Sequence, residues 1–145
     1  MSLWTSDIST TVYNRIVNEF FKNSLTRYGM TAMKVGNYIV CPNFSTSQIS
    51  ETEPKFPYVT LIELPGQERG QDLEGTSING GLFTFQADVI HNEKETIAKQ
   101  IMDDIVPIMK SMRFQVSVMP AFESKPQEYR IISRFSRVIG AGDIL

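Results

Sequence analysis

The chain has one cysteine, Cys41, one histidine, His91, and one tryptophan among its 145 residues. A lone cysteine rules out an intramolecular disulfide and a cysteine-built zinc site, and it fits a reducing compartment. A lone histidine means that any imidazole-based triad must use His91. It also denies the chain the paired-histidine spacing that makes helical metal motifs specific. No run approaches the roughly 20 apolar residues that span a bilayer. Residues 1–11 include Asp7 and no basic cluster before an apolar run, so they do not read as a signal peptide. These absences predict a soluble protein made in a cytoplasm, with no membrane partner. Charge of one sign is also scarce: a net of −2 argues against a dedicated nucleic-acid binder.

What is present is ordinary globular material. Hydrophobic residues make up 41% and charged residues 21%, both near the norms for folded domains. A chain of 145 residues fits one domain, residues 1–145, large enough to hold a core without staples. The charge is unevenly spread. Residues 51–104 carry eleven acidic side chains against four basic ones, a net of −7, and residues 110–137 carry six basic against two acidic, a net of +4. This pattern has two readings: two solvated faces, or a subunit with an acidic and a basic side. A subunit of the second kind can pack head-to-tail with copies of itself, and head-to-tail contacts close into rings.

Periodicity places the elements. Ile8, Val12, Ile16 and Phe20 step by four and predict a helix over residues 9–27, capped by Asp7 or Ser9 and stopped by Gly29. Gly36-Asn37 between apolar runs predicts a tight hairpin of residues 31–35 and 38–41. Residues 42–54 are polar and read as a loop, and residues 58–64 as a strand between Pro57 and Pro65. Residues 66–81 hold five glycines and read as a long loop of functional kind. Residues 82–90 alternate, with Phe83, Phe85, Ala87 and Val89 opposite Thr84, Gln86 and Asp88. Asn92 with Glu95 has capping-box spacing ahead of a second helix striped by Ile97, Ile101, Ile105, Ile108 and Met112, which Pro107 should kink. Strands over residues 114–119 and 129–139 follow, on either side of a polar turn. The expected fold class is α+β: a single domain whose mixed, mostly antiparallel sheet packs against two main helices.

The residues capable of chemistry do not assemble into a recognisable site. His91 with Asp88, Glu93 or Glu95 offers one imidazole and adjacent carboxylates, and reads more simply as a polar strand-to-helix corner. Asp103 and Asp104 are helix neighbours pointing about 100° apart, so they cannot act as an acid–base pair on one substrate. Residues 66–70 lack the lysine followed by Ser or Thr of a phosphate loop. Cys41 reads as a small buried hydrophobe. Arg130 and Arg134 share one strand face and Arg137 takes the other, a pattern that suits salt bridges better than a phosphate footprint. No catalytic residue, metal site or cofactor is expected. The residues describe a protein that works by binding other proteins, not an enzyme.

The segment FTFQADVIHNEKETIAKQIMDDIVPIMKSMRF, residues 83–114, resembles the centre of the tail-completion (tail terminator) proteins of long-tailed phages. YRIISRFSRV, residues 129–138, is similar to that family's later strand of arginines and aromatics, and FPYVTLIE, residues 56–63, to its first long strand. Pro107 and the long polar segment 42–54 depart from the pattern. The resemblance implies a structural virion protein, assembled in the host cytoplasm and located at the tail–neck junction. Copies would form a ring, usually of six, that caps the tail tube and stops its polymerisation. The ring would join the tube to the head-side connector or stopper protein, while DNA passes through without specific binding. Another ring component of the neck or tail, or an unrelated soluble binding module, are the alternative readings. The interface residues expected on this basis are Glu68, Arg69, Asp72 and Glu74 in the glycine-rich segment, facing the tube or the next subunit. Arg130 and Arg134 are expected on the complementary basic face. Acidic residues near the hole would repel DNA.

Overall fold

The computed structural model describes residues 7–46, 56–69, 80–123, 125, 128–140, 143 and 145. The first apolar stripe forms helix α1, Ile8–Phe20, burying Ile8, Val12, Ile16, Val17 and Phe20. Asp7 holds the N-cap position without a side-chain capping bond, and the helix stops seven residues before the predicted end at Arg27. Beyond the C-cap at Phe21, Ser24 turns the chain away from a helical path. Its hydroxyl donates to the Thr26 carbonyl at 3.0 Å and accepts from the Thr26 amide at 3.3 Å, a local bond that competes with helix continuation. Gly29 therefore ends no helix. With Tyr28 it makes a two-residue turn, both at positive φ (52° and 83°), joining strands β1, Thr26–Arg27, and β2, Met30–Thr31.

The hairpin at Gly36-Asn37 forms as its sequence predicts, from β3, Met33–Val35, and β4, Tyr38–Val40, with Val35 opposite Tyr38. Inside the segment read as a loop, β5, Phe44–Ser45, pairs in parallel with the next long strand. It is anchored by the Phe44 ring, which lies 5.2 Å from Phe20 and 5.8 Å from Phe21.

Strand β6, Tyr58–Arg69, runs through Pro65 instead of stopping there. A register shift between Leu64 and Gln67 absorbs the residue that has no amide to give. Its antiparallel partner β7, Gly80–His91, begins two residues earlier than predicted. The expected loop over residues 66–81 is thus strand at both ends. Close backbone approach at this bulge requires glycine at position 66, where a Cβ would stand 2.5 Å from the Leu82 carbonyl oxygen.

Helix α2, Glu95–Ser111, starts after an N-cap at Lys94, so Asn92 does not cap it. Pro107 sits on its exposed side, as does Asp103. The carbonyl that loses its amide partner to the proline ring is therefore that of a residue facing solvent, and the helix continues past it. The C-terminus closes through Arg113 at φ 66°, with the Arg113 amide bonded to Lys110 and the Phe114 amide to Met109. These bonds form a Schellman motif. Strands β8, Gln115–Phe122, and β9, Tyr129–Gly140, complete the chain.

The main sheet has the order β5-β6-β7-β9-β8 and is antiparallel except at β5–β6. The α+β class, with a mostly antiparallel sheet and two helices, is as expected. One face carries Val59, Leu61, Phe85, Ala87, Val89, Ile131, Phe135 and Ile139 into a core shared with both helices. The Phe85 and Phe114 rings meet edge to face at 5.7 Å within it. Arg27 ties the small β1–β2 hairpin to this core. It donates to the Phe20 carbonyl at the end of α1 and to Asp104 on α2, 2.6 Å away, and its guanidinium lies over the Phe20 ring. Asp104 also accepts from the Tyr28 hydroxyl at 2.6 Å, while Asp103 is exposed.

Candidate functional site

Because side chains alternate along a strand, the register that sends Phe85, Ala87 and Val89 to the helices turns Thr84, Gln86 and Asp88 to the opposite face. Among the described residues no helix lies on that face. On β9 the same face receives Arg130, Ile132, Arg134, Ser136 and Val138. Three polar rungs cross it.

In the first rung, Arg130 donates from Nε to Asp88 Oδ1 at 2.8 Å and from a terminal nitrogen to Oδ2 at 2.6 Å. This is the two-pronged geometry that matches a planar guanidinium to a carboxylate. The Asp88 residue is only 2% exposed. The bond to Asp88 raises the Arg130 pKa above its ordinary value, against the lowering effect of burial. In the second rung, Arg134 Nε donates to Gln86 Oε1 at 3.0 Å. Arg134 is exposed and makes no ion pair among the described residues. Gln86 thus holds the guanidinium by its inner nitrogen. In the third rung, the hydroxyls of Thr84 and Ser136 are 2.9 Å apart, and Ser136 donates on to Ser117 of β8 at 3.1 Å.

The residues singled out in the sequence fall in different places. Arg130 and Arg134 share the open face, as their spacing requires, but only Arg134 offers a charge to a partner. Arg130 is committed to Asp88 of its own chain. Arg137 lies under the sheet, donating to the Met112 carbonyl at 3.0 Å. Glu68 and Arg69 are exposed at the end of β6, paired with Gly81 and Gly80, so they stand on a strand and not in a loop. Asp72 and Glu74 lie outside the described residues.

The groups weighed for chemistry are placed as follows. His91 is 8% exposed, and its buried Nδ1 has no hydrogen-bond partner among the described residues. Burial pushes its pKa down, with Glu93 opposing and Lys94 adding to the effect. It borders a shallow cavity of about 420 Å³ lined also by Tyr28, Phe56, Pro57, Glu93 and Lys94. The Cys41 thiol is buried, 3.6 Å from the Asn43 side-chain oxygen, and desolvation raises its pKa. It therefore stays protonated and unreactive near neutral pH. Among the described residues, no three His, Cys, Asp or Glu side chains gather into a metal set.

Sequence reasoning missed Gln86, Thr84, Ser117 and Ser136 as members of one surface. It also missed the apolar side of the β3–β4 hairpin, where Met33, Val35, Tyr38 and Val40 are 48–63% exposed. The second was readable. A two-residue turn sets Val35 opposite Tyr38 and Met33 opposite Val40, which puts all four on one side. The sequence matches no protein-family model, and no curated protein matches it at a significant level.

Proposed function

We propose that this chain is a structural virion protein of the tail-terminator kind. It would form a ring that caps the tail tube of a long-tailed phage, stops its polymerisation and joins it to the head-side connector. The observation that carries the reading is the exposed Arg134, fixed by Gln86 on the sheet face turned away from the helices. The segments that resemble the terminator family, residues 83–114 and 129–138, form β7, α2, the turn to Phe114 and β9, and α2 packs across both strands. That unit buries one side of the sheet, and the other side carries three hydrogen-bonded polar rungs, one of them with a preoriented guanidinium. Such a face suits a carboxylate on a partner protein. Gln86 has already reduced the freedom that Arg134 would lose on binding, which lowers the entropic cost of contact.

The exposed Glu68 and Arg69 on β6 remain part of the proposed contact with the tube or the neighbouring subunit. No cofactor enters this function. The test is to mix the purified chain with assembled tail tubes and follow mass by light scattering, then image by negative stain. Rings, or density closing one end of the tubes, are expected. A monomer that leaves both tube ends bare would overturn the proposal.

A further inference from the structure

We propose that the cavity at the His91 corner binds a carboxylate carried on an apolar body. His91 lies in the helix-facing row of β7, on the opposite side of the sheet from Arg134. The site is therefore separate from the proposed assembly face and does not depend on the ring reading.

Three segments of chain converge on this cavity. The β1–β2 turn brings Tyr28 and Gly29, the approach to β6 brings Phe56 and Pro57, and the corner between β7 and α2 brings His91, Glu93 and Lys94. The Tyr28 wall is held in place. Its hydroxyl donates to Asp104 at 2.6 Å, and its backbone stands at a φ of 52° in the two-residue turn. A space of about 420 Å³ is of the size that takes a small ligand.

Two independent features make this a place for an anion. The first is the start of α2. Ile97, in the first turn of that helix, lines the cavity. The first-turn amides have no partners within the helix, and no side chain among the described residues caps them. They carry the positive end of the helix dipole, where anions are held. Lys94 at the N-cap adds a full charge and has no ion pair among the described residues.

The second feature is His91 itself. The residue is only 8% exposed, and its Nδ1 is closed off without a partner among the described residues. A neutral imidazole has one proton to place. A buried N–H without an acceptor is rarer than a bare acceptor without a donor. The proton therefore belongs on Nε2, which is not closed off, and the ring brings a donor to the cavity it borders.

The surrounding charges narrow the ligand. Glu95 is paired with Lys99 at 2.8 Å, and Asp104 is held by Arg27 and Tyr28. Burial lowers the His91 pKa, Glu93 raises it and Lys94 lowers it further, so both charges stand near the ring. Glu93 offsets Lys94 and leaves mainly the helix end and the imidazole donor to favour an anion. That balance suits a single negative charge better than a phosphate dianion. Tyr28, Phe56, Pro57 and Ile97 supply the apolar contact, and the donors set the ligand's orientation.

The full-length chain is titrated with 3-phenylpropionate at pH 7, and the ring-proton signals of its one histidine are followed by NMR. A saturable shift is expected, with a dissociation constant on the order of 1 mM. 3-Phenylpropanamide has the body without the charge and acetate the charge without the body; each should bind at least about fivefold more weakly. Lys94→Ala should weaken binding of the acid about threefold, the worth of an exposed charge, and Glu93→Gln should strengthen it by a similar factor. A pentapeptide ending in a free phenylalanine carboxylate that binds more tightly than 3-phenylpropionate would assign the site to a protein C-terminus. Weaker binding of that peptide would assign it to a small free acid. His91 signals that do not move with the acid, or equal binding of acid and amide, would overturn the proposal.

Discussion

The two faces of the main sheet are built from the same strands and held by different forces. Toward the helices, Phe85, Ala87, Val89, Ile131 and Phe135 are excluded from water, and the hydrophobic effect does most of the work. On the opposite face, Asp88, Gln86 and Thr84 are held by Arg130, Arg134 and Ser136 across the β7–β9 ladder. The first face would tolerate no water and needs none. The second supplies its own partners strand to strand, which satisfies its buried Asp88 and Gln86 and leaves Arg134 exposed.

Substitutions that disturb one face at a time test that contrast. The largest loss is expected from Phe85→Ala, which leaves a cavity beside Phe114 and should cost about 3–5 kcal/mol in denaturant unfolding. Asp88→Ala comes next. It strips a carboxylate that two hydrogen bonds hold, but Arg130 is about one-third exposed and water can take up part of its charge. A loss of about 1–3 kcal/mol is expected in the same assay. An Asp88→Ala effect equal to that of Phe85→Ala would break the contrast between the faces.

A smaller effect is expected from pH. His91 ends the helix-facing row of β7, and its pKa is lowered from an ordinary value near 6.5 by burial. The unfolded chain then binds more protons than the folded one, so stability falls as pH drops through 6.5 toward the folded value, and levels off below it. Glu63, raised by burial from an ordinary 4.5, acts in the opposite sense: it loses stability as pH rises from there through its folded value. Subtracting the pH profile of a His91→Gln variant from that of the wild type isolates the histidine, and a difference curve flat below pH 7 would contradict its burial. The smallest change in stability should come from Arg134→Glu, within about 0.5 kcal/mol, because the side chain is exposed and its only described bond is to neutral Gln86. Global unfolding of that variant would make Arg134 a structural residue.

Strong periodicity was the legible part of this fold. The alternation of β7 and β9 and the stripe of α2 give the central strands and helix from sequence, and the faces of Arg130, Arg134 and Arg137 follow from their spacing. The misreadings have local causes. Gly29 looks like a helix stop and is a hairpin turn, because the helix had already ended at Phe20. Pro65 looks like a strand end, and a bulge carries β6 beyond it. The candidate site was half visible: spacing put two arginines together, but nothing local shows that Asp88 occupies Arg130 or that Gln86 merely steadies Arg134. Those assignments depend on the β7–β9 register, which joins residues more than forty positions apart.

The central claim is that the open face is an assembly surface with Arg134 at its working point. The most direct test counts capped tail-tube ends in negative stain, with folded wild type and folded Arg134→Glu at equal concentration. The account predicts caps with the wild type and few or none with the variant. Equal capping by both would contradict it.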